Sequence, residues 1–99
     1  MKVIWSRESL RRLIEIENYI AKDNPERAIK FIDKIIDRGE DIKNFPLRGR
    51  IVPEFSNNDI REVLENSYRI VYRISKTRVE ILTIFEGHKL FPVSDIKNK

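Results

Sequence analysis

From Ser6 onward, apolar side chains recur at intervals of three or four residues: Leu10, Leu13, Ile14 and Ile20, with Ile16 and Tyr19 widening the stripe. That period predicts an amphipathic helix from Arg7 to Lys22, opened by Ser6, whose side-chain oxygen can accept from the amides that a helix start leaves unpaired. Asp23-Asn24-Pro25 then reads as a stop and restart. Asn24 can cap the next helix, and Pro25 suits its first position because its missing N–H would have had no partner there. Ala28, Phe31, Ile32, Ile35, Ile36 and Ile42 share one face of this second helix, and Gly39 weakens its last turn by about 1 kcal/mol relative to Ala. Two such helices joined by a tight turn predict a hairpin.

Past Phe45-Pro46-Leu47-Arg48-Gly49-Arg50 the period changes from helical to alternating, and β-branched and aromatic residues take over. Tyr68, Ile70, Tyr72 and Ile74 alternate with Arg69, Val71 and Arg73, which predicts a strand with its tyrosines toward the helices and its arginines on an open face. Ser75-Lys76-Thr77-Arg78 is the turn into a strand from Val79 to Glu86, apolar on nearly both sides as a central strand would be. A weaker strand from Ile60 to Glu65 precedes them, and Lys2 to Trp5 forms a short first strand. The expectation is an α+β domain of order β-α-α-β-β-β, its helical hairpin packed on one face of a small, mainly antiparallel sheet.

Composition narrows the function. Ninety-nine residues make one domain, 1–99, with a modest core and little left for a deep substrate cavity. Without Cys, and with a single His, disulfides, thiolate metal sites and a Cys nucleophile are excluded, and neither metal nor cofactor is expected. No apolar run reaches the roughly 20 residues that span a bilayer, so a cytoplasmic protein with no membrane partner is expected. The net charge of +4 suits a polyanion or an acidic protein. It is unevenly placed: residues 1–47 hold 10 basic and 9 acidic side chains, residues 48–99 hold 10 and 7. The surplus therefore falls on the predicted sheet and the loop feeding it.

Asn24-Pro25, Pro46-x-x-Gly49-Arg50-x-x-Pro53-Glu54, Arg61-Glu62, Tyr68-Arg69-Ile70-Val71-Tyr72-Arg73-Ile74 and Phe85-Glu86-Gly87-His88-Lys89 stand in this order along the chain. In that series, from Trp5 to about Pro92, the chain resembles the RelE/ParE family of bacterial and archaeal toxins. The resemblance implies the toxin of a type II toxin-antitoxin module, chromosomal or plasmid-borne, neutralised by a cognate antitoxin in a toxin-antitoxin hetero-oligomer. Two mechanisms are open. ParE-like members are thought to bind DNA gyrase and stall it, whereas RelE-like members are mRNA interferases that cut ribosome-bound mRNA. The interferases need a base for the ribose 2'-OH, a cation for the phosphate and an acid for the leaving oxygen.

Arg69 matches the family's phosphate-binding arginine, and Lys89 falls where the nucleases place a second one. Their lysine pair, however, maps to Ile60 and Glu62, and their C-terminal tyrosine maps near Asp95. A second nuclease branch uses a glutamate and a C-terminal histidine, which Glu54 and His88 would imitate. The missing lysines favour the ParE-like branch, acting by binding without its own chemistry. A degenerate, non-toxic antitoxin-binding member is the further alternative.

The candidate catalytic residues, relevant only to a nuclease, are thus Arg69, His88, Glu54 and Lys89. The candidate target- or phosphate-binding residues are Arg48, Arg50, Arg61, Arg69 and Arg73. Each has a plainer reading. Arg73 can pair with Glu80 across strands, worth about 0.2 to 1 kcal/mol. Glu54 can orient its loop or pair with Arg50, and His88 can be an ordinary turn residue. Tyr68, Tyr72 and Trp5 read as core in preference to a binding surface.

Overall fold

The structure, a computed structural model, describes residues 1–87. In chain order it runs β1 (Lys2–Trp5), α1 (Arg7–Ala21), α2 (Pro25–Asp41), a 3-10 turn (Ile42–Asn44), β2 (Arg50–Ile51), β3 (Ile60–Glu65), β4 (Tyr68–Ile74) and β5 (Arg78–Glu86). Both predicted helix starts are built as their sequences imply. Ser6 Oγ accepts from Ser9 N at 3.0 Å, and Asn24 Oδ1 accepts from Arg27 N at 3.0 Å with Pro25 in the first turn. Ser6 does more than cap: its hydroxyl donates to Leu82 O at 2.9 Å, fastening the start of α1 to β5.

The sheet has the order β1-β5-β4-β3-β2, with β1 parallel to β5 and the other neighbours antiparallel. β5 therefore has a partner on each side, which accounts for its nearly continuous apolar run. Glu65 pairs with Tyr68 across a tight turn in which Asn66 takes a φ of 54°, a conformation Asn tolerates better than most residues. The helical hairpin covers one face. Leu13 and Ile16 of α1, Ile35 of α2 and Ile42 beyond it pack there on Val63, Ile70, Tyr72, Val79, Ile81 and Ile84.

Three expectations need correction. Leu10 and Ile14, read as part of the buried stripe, are 48% and 59% exposed. The arc of α1 that faces the sheet is centred on Ser9, Leu13 and Ile16, and one further residue turns the helix by about 100°, enough to carry Leu10 and Ile14 off it. The sheet also has one strand more than expected, the short β2. Finally, the face predicted to be open is partly covered. Val52 and Phe55, in the loop between β2 and β3, close a second core over Ile60, Val71, Leu82 and Phe85. A bulge helps: Val71 pairs with Thr83 and Tyr72 with Ile81, so Leu82 is an extra residue and turns onto this second face. The loop has no apolar period, so nothing in its local pattern announced that it would fold back.

Gly39 also changes meaning. The Trp5 indole lies where its side chain would begin, a Cβ there meeting Trp5 Cη2 at 2.5 Å and Cζ2 at 2.7 Å. The glycine admits Trp5 to the helix surface, and the indole Nε1 donates to Glu40 Oε2 at 2.7 Å. Trp5 is accordingly a half-buried core anchor. Among the described residues no helix is long and apolar enough to cross a membrane.

Candidate functional site

The second face of the sheet carries a chain of alternating charges. In β3, Glu62 follows the inward position of Ile60 by two residues, so the strand's period places its carboxylate beside the second core. Its side chain is 0% exposed and is held from both sides, by Arg50 Nε of β2 through Oε2 and by Arg69 Nε of β4 through Oε1 at 2.5 Å. Register explains the contacts: Arg50 lies opposite Glu62 across β2 and β3, and Arg69 comes from the strand on the other side. The far end of the Arg69 guanidinium meets Glu54 from the covering loop, Nη2 to Oε1 at 3.1 Å and Nη1 to Oε2 at 3.3 Å. Arg69 Cζ also lies 5.0 Å from the centroid of the Phe85 ring, within cation–π range.

The electrostatics follow from this enclosure. Burial alone would favour a neutral Arg69, but its hydrogen bonds to Glu54 and Glu62 outweigh that and hold it more firmly charged than usual. The hydrogen bonds that Glu54 accepts from Arg69 hold its carboxyl below the ordinary value. Two cations and two carboxylates thus compensate one another, and the guanidinium of Arg69, its residue 6% exposed, is already bidentate with a carboxylate. A phosphate reaching Arg69 would have to displace Glu54 and face the fixed charge of Glu62.

The other candidates lie as follows. Arg73 Nη2 donates to Glu80 Oε1 at 2.8 Å, the cross-strand pair its position suggested. The pairing suggested between Glu54 and Arg50 is replaced: Glu54 binds Arg69, and Arg50 binds Glu62. Arg61, on the helix-side face with Val63, donates through Nη1 to Leu47 O at 3.2 Å and Gly49 O at 2.9 Å. Arg48 lies over the Phe45 ring, 4.1 Å from its centroid. His88 and Lys89 lie outside the described residues, so of the candidate catalytic set the structure brings together only Arg69 and Glu54.

Two residues central to this region were not singled out. In the sequence Glu62 stands only as part of the Arg61-Glu62 motif and as a position aligned with a nuclease lysine; a carboxylate at an inward position of a strand is the signal that points to its buried role. Tyr72 had been assigned to the core, where it lies, yet its hydroxyl also donates to Pro46 O at 2.6 Å and accepts from Gly49 N at 3.2 Å. Two open clefts of about 390 Å³ each run between the helical hairpin and the ends of β4 and β5, with Tyr19, Tyr68 and Glu86 common to both. Their remaining charges are mixed in sign and no catalytic constellation converges there. Among the described residues no cluster of His, Asp or Glu has a metal-binding arrangement.

Comparison with known proteins agrees with this architecture. A family model described as "ParE toxin of type II toxin-antitoxin system, parDE" matches residues 3–91. The chain is 34% identical over 91 residues to the protein named "Putative toxin Y4kP" from Sinorhizobium fredii (strain NBRC 101917 / NGR234), covering 92% of this chain and 93% of that one. Among solved structures, a chain of a chromosomal ParDE TA system from P. aeruginosa superposes with a TM-score of 0.73 at 22% identity, covering 87% of this chain and 95% of that one. A chain of the toxin-antitoxin complex RelBE2 from Mycobacterium tuberculosis superposes with a TM-score of 0.63 at 20% identity, covering 86% and 88%. At these identities the two structures speak for the fold alone.

Proposed function

The chain belongs to the ParE family of type II toxin-antitoxin toxins, and on that premise we propose that it inhibits growth by binding DNA gyrase and is held inactive by a cognate antitoxin. The observation that carries the choice of mechanism is the closure of Arg69. Its guanidinium is committed to Glu62 and Glu54, and the two positions aligned with a nuclease's lysine pair are occupied by Ile60, buried in the second core, and Glu62, a buried carboxylate. Among the described residues, the arginine aligned with the nucleases' phosphate ligand is therefore not free to take a scissile phosphate, which supports action by binding over cleavage of RNA. The antitoxin is supported by the matched family's own description, the toxin of a type II toxin-antitoxin system. Leu10, Ile14 and Ile29 on the helical hairpin are each about half exposed and offer apolar contacts to such a partner.

The test uses the full chain with purified gyrase and supercoiled plasmid. The expected result is loss of supercoiling activity with accumulation of cleaved complex, reversed by the antitoxin. No effect at stoichiometric excess, together with codon-phased cuts in mRNA after induction, would replace this reading by the mRNA interferase. Induction without any growth defect would leave only the non-toxic, antitoxin-binding member.

A further inference from the structure

The loop between α2 and β2 is fastened from below and bare above. Tyr72 and Arg61, both from the sheet, tie down the backbone oxygens of Pro46, Leu47 and Gly49 and the Gly49 amide at 2.6 to 3.2 Å. With these groups turned inward, large apolar side chains are left in solvent: Phe45 is 54% and Leu47 69% exposed, and Ile51, in β2 just beyond the loop, 41%. Exposed apolar groups contribute little to folding, since the driving force comes from area removed from water. A rigid segment that displays them matches a binding hot spot, where anchors held in place beforehand avoid the ordering cost of association.

The charged side chains that this segment itself contributes are all basic, while Asp41 just before it accepts from Asn44 Nδ2 at 2.8 Å. Residues 42–51 contain Lys43, Arg48 and Arg50 and no acidic residue. Arg50 is taken by Glu62, but no carboxylate among the described residues pairs with Lys43 or Arg48. We propose that this loop is the surface by which the toxin grips its target protein, at a segment carrying carboxylates beside apolar side chains. The inference rests on the binding mechanism argued above. Leu47 and Ile51 are aliphatic, and the Phe45 ring already carries the Arg48 guanidinium over one face, 4.1 Å from its centroid, which favours a protein segment over single-stranded nucleic acid. Exposed apolar side chains elsewhere, Leu10 and Ile14 of α1 and Ile29 of α2, are available to the antitoxin.

The experiment compares wild type with Leu47→Asp and with Arg48→Glu, each in the full chain, for growth arrest on induction and for affinity to the purified cognate antitoxin. Both side chains are exposed, so melting temperatures should stay near wild type; if Leu47→Asp melts lower, Leu47→Ala takes its place. The expected result is that the dose for half-maximal arrest rises by at least about tenfold, while antitoxin affinity stays within about twofold. Unchanged arrest overturns the proposal. If antitoxin affinity alone falls, the loop is the antitoxin's seat. If a labelled single-stranded RNA binds wild type in a salt-sensitive way and both variants lose it, the surface is for nucleic acid; either result overturns the proposal. The wild-type control separates this failure from that of the functional reading. A wild type that fails to arrest growth sinks both, whereas arrest without any effect on gyrase removes gyrase and leaves the loop under test.

Discussion

Glu62 and Glu54 hold the same guanidinium, yet neutralising them should cost very different amounts, because one carboxylate is sealed from water and the other is not. The side chain of Glu62 is 0% exposed and that of Glu54 36%. Glu62→Gln preserves shape and one acceptor oxygen but leaves Arg69, with 8% of its side chain exposed, facing a single partly solvated counterion. Breaking a buried pair from one side costs about 3 to 5 kcal/mol. Gln still accepts one hydrogen bond and Arg50, with 62% of its side chain exposed, can turn to water, so the low end, about 3 kcal/mol, is expected here. Glu54→Gln should cost less than about 1 kcal/mol, as a partly exposed pair does. Urea unfolding followed by Trp5 fluorescence reads the difference. With a slope of about 2 kcal/mol per M, the midpoint should fall by about 1.5 M for Glu62→Gln and by less than about 0.5 M for Glu54→Gln. The double change Glu62→Leu with Arg69→Met should recover most of the loss, because apolar groups of similar size avoid the desolvation cost. Equal midpoints for the two single variants, or a larger fall for Glu54→Gln, would refute the argument that burial sets the strength of this charge chain.

Gly49→Ala should lower stability by about 1 to 3 kcal/mol, since the new methyl would overlap Tyr72 Oη and sit 2.8 Å from Glu62 O; thermal unfolding by circular dichroism checks it. Thr83→Val should stabilise by about 1 kcal/mol in the same assay. Its hydroxyl is buried, and among the described residues it has no hydrogen-bond partner, whereas Val fills the same space without a polar atom. Acid should weaken the fold through Glu54 and Glu8. Arg69 holds Glu54 below the ordinary 4.5, and at Glu8 the opposing effect of partial burial is outweighed by Arg11 and Arg12. A depressed folded-state value stabilises above the unfolded value and loses that contribution as pH falls through the folded one, so the urea midpoint should decline below about pH 4.5 and decline less steeply in Glu54→Gln. Alkali should weaken the fold as well, through Tyr72, whose phenol burial pushes above 10.0; stability should fall as pH rises past that value, and Tyr72→Phe should remove this component.

Much of the architecture was written in local patterns. Helical spacing, Ser6, Asn24 and Pro25 determined two helices with their starts, and alternation from Tyr68 to Ile74 determined a strand with its tyrosines inward, because period and capping are properties of a few neighbouring residues. The ordered motifs also carried the family. What they left undecided depended on contacts between residues far apart in the chain. Leu10 and Ile14 are as apolar as Leu13, and only the direction from which the sheet approaches α1 separates buried from exposed. Val52 and Phe55 belong to no period, so their closure over the arginine face appeared only when Ile60, Val71, Leu82 and Phe85 were brought together by three strands. The same closure decided what Arg69 can do. By itself it reads as a solvated cation or a phosphate ligand; once Glu62 approaches from β3 and Glu54 from the covering loop, a low-dielectric enclosure makes pairing its dominant interaction. A side chain's chemical type is set by sequence, but the partners that spend or leave free its charge are supplied by tertiary structure.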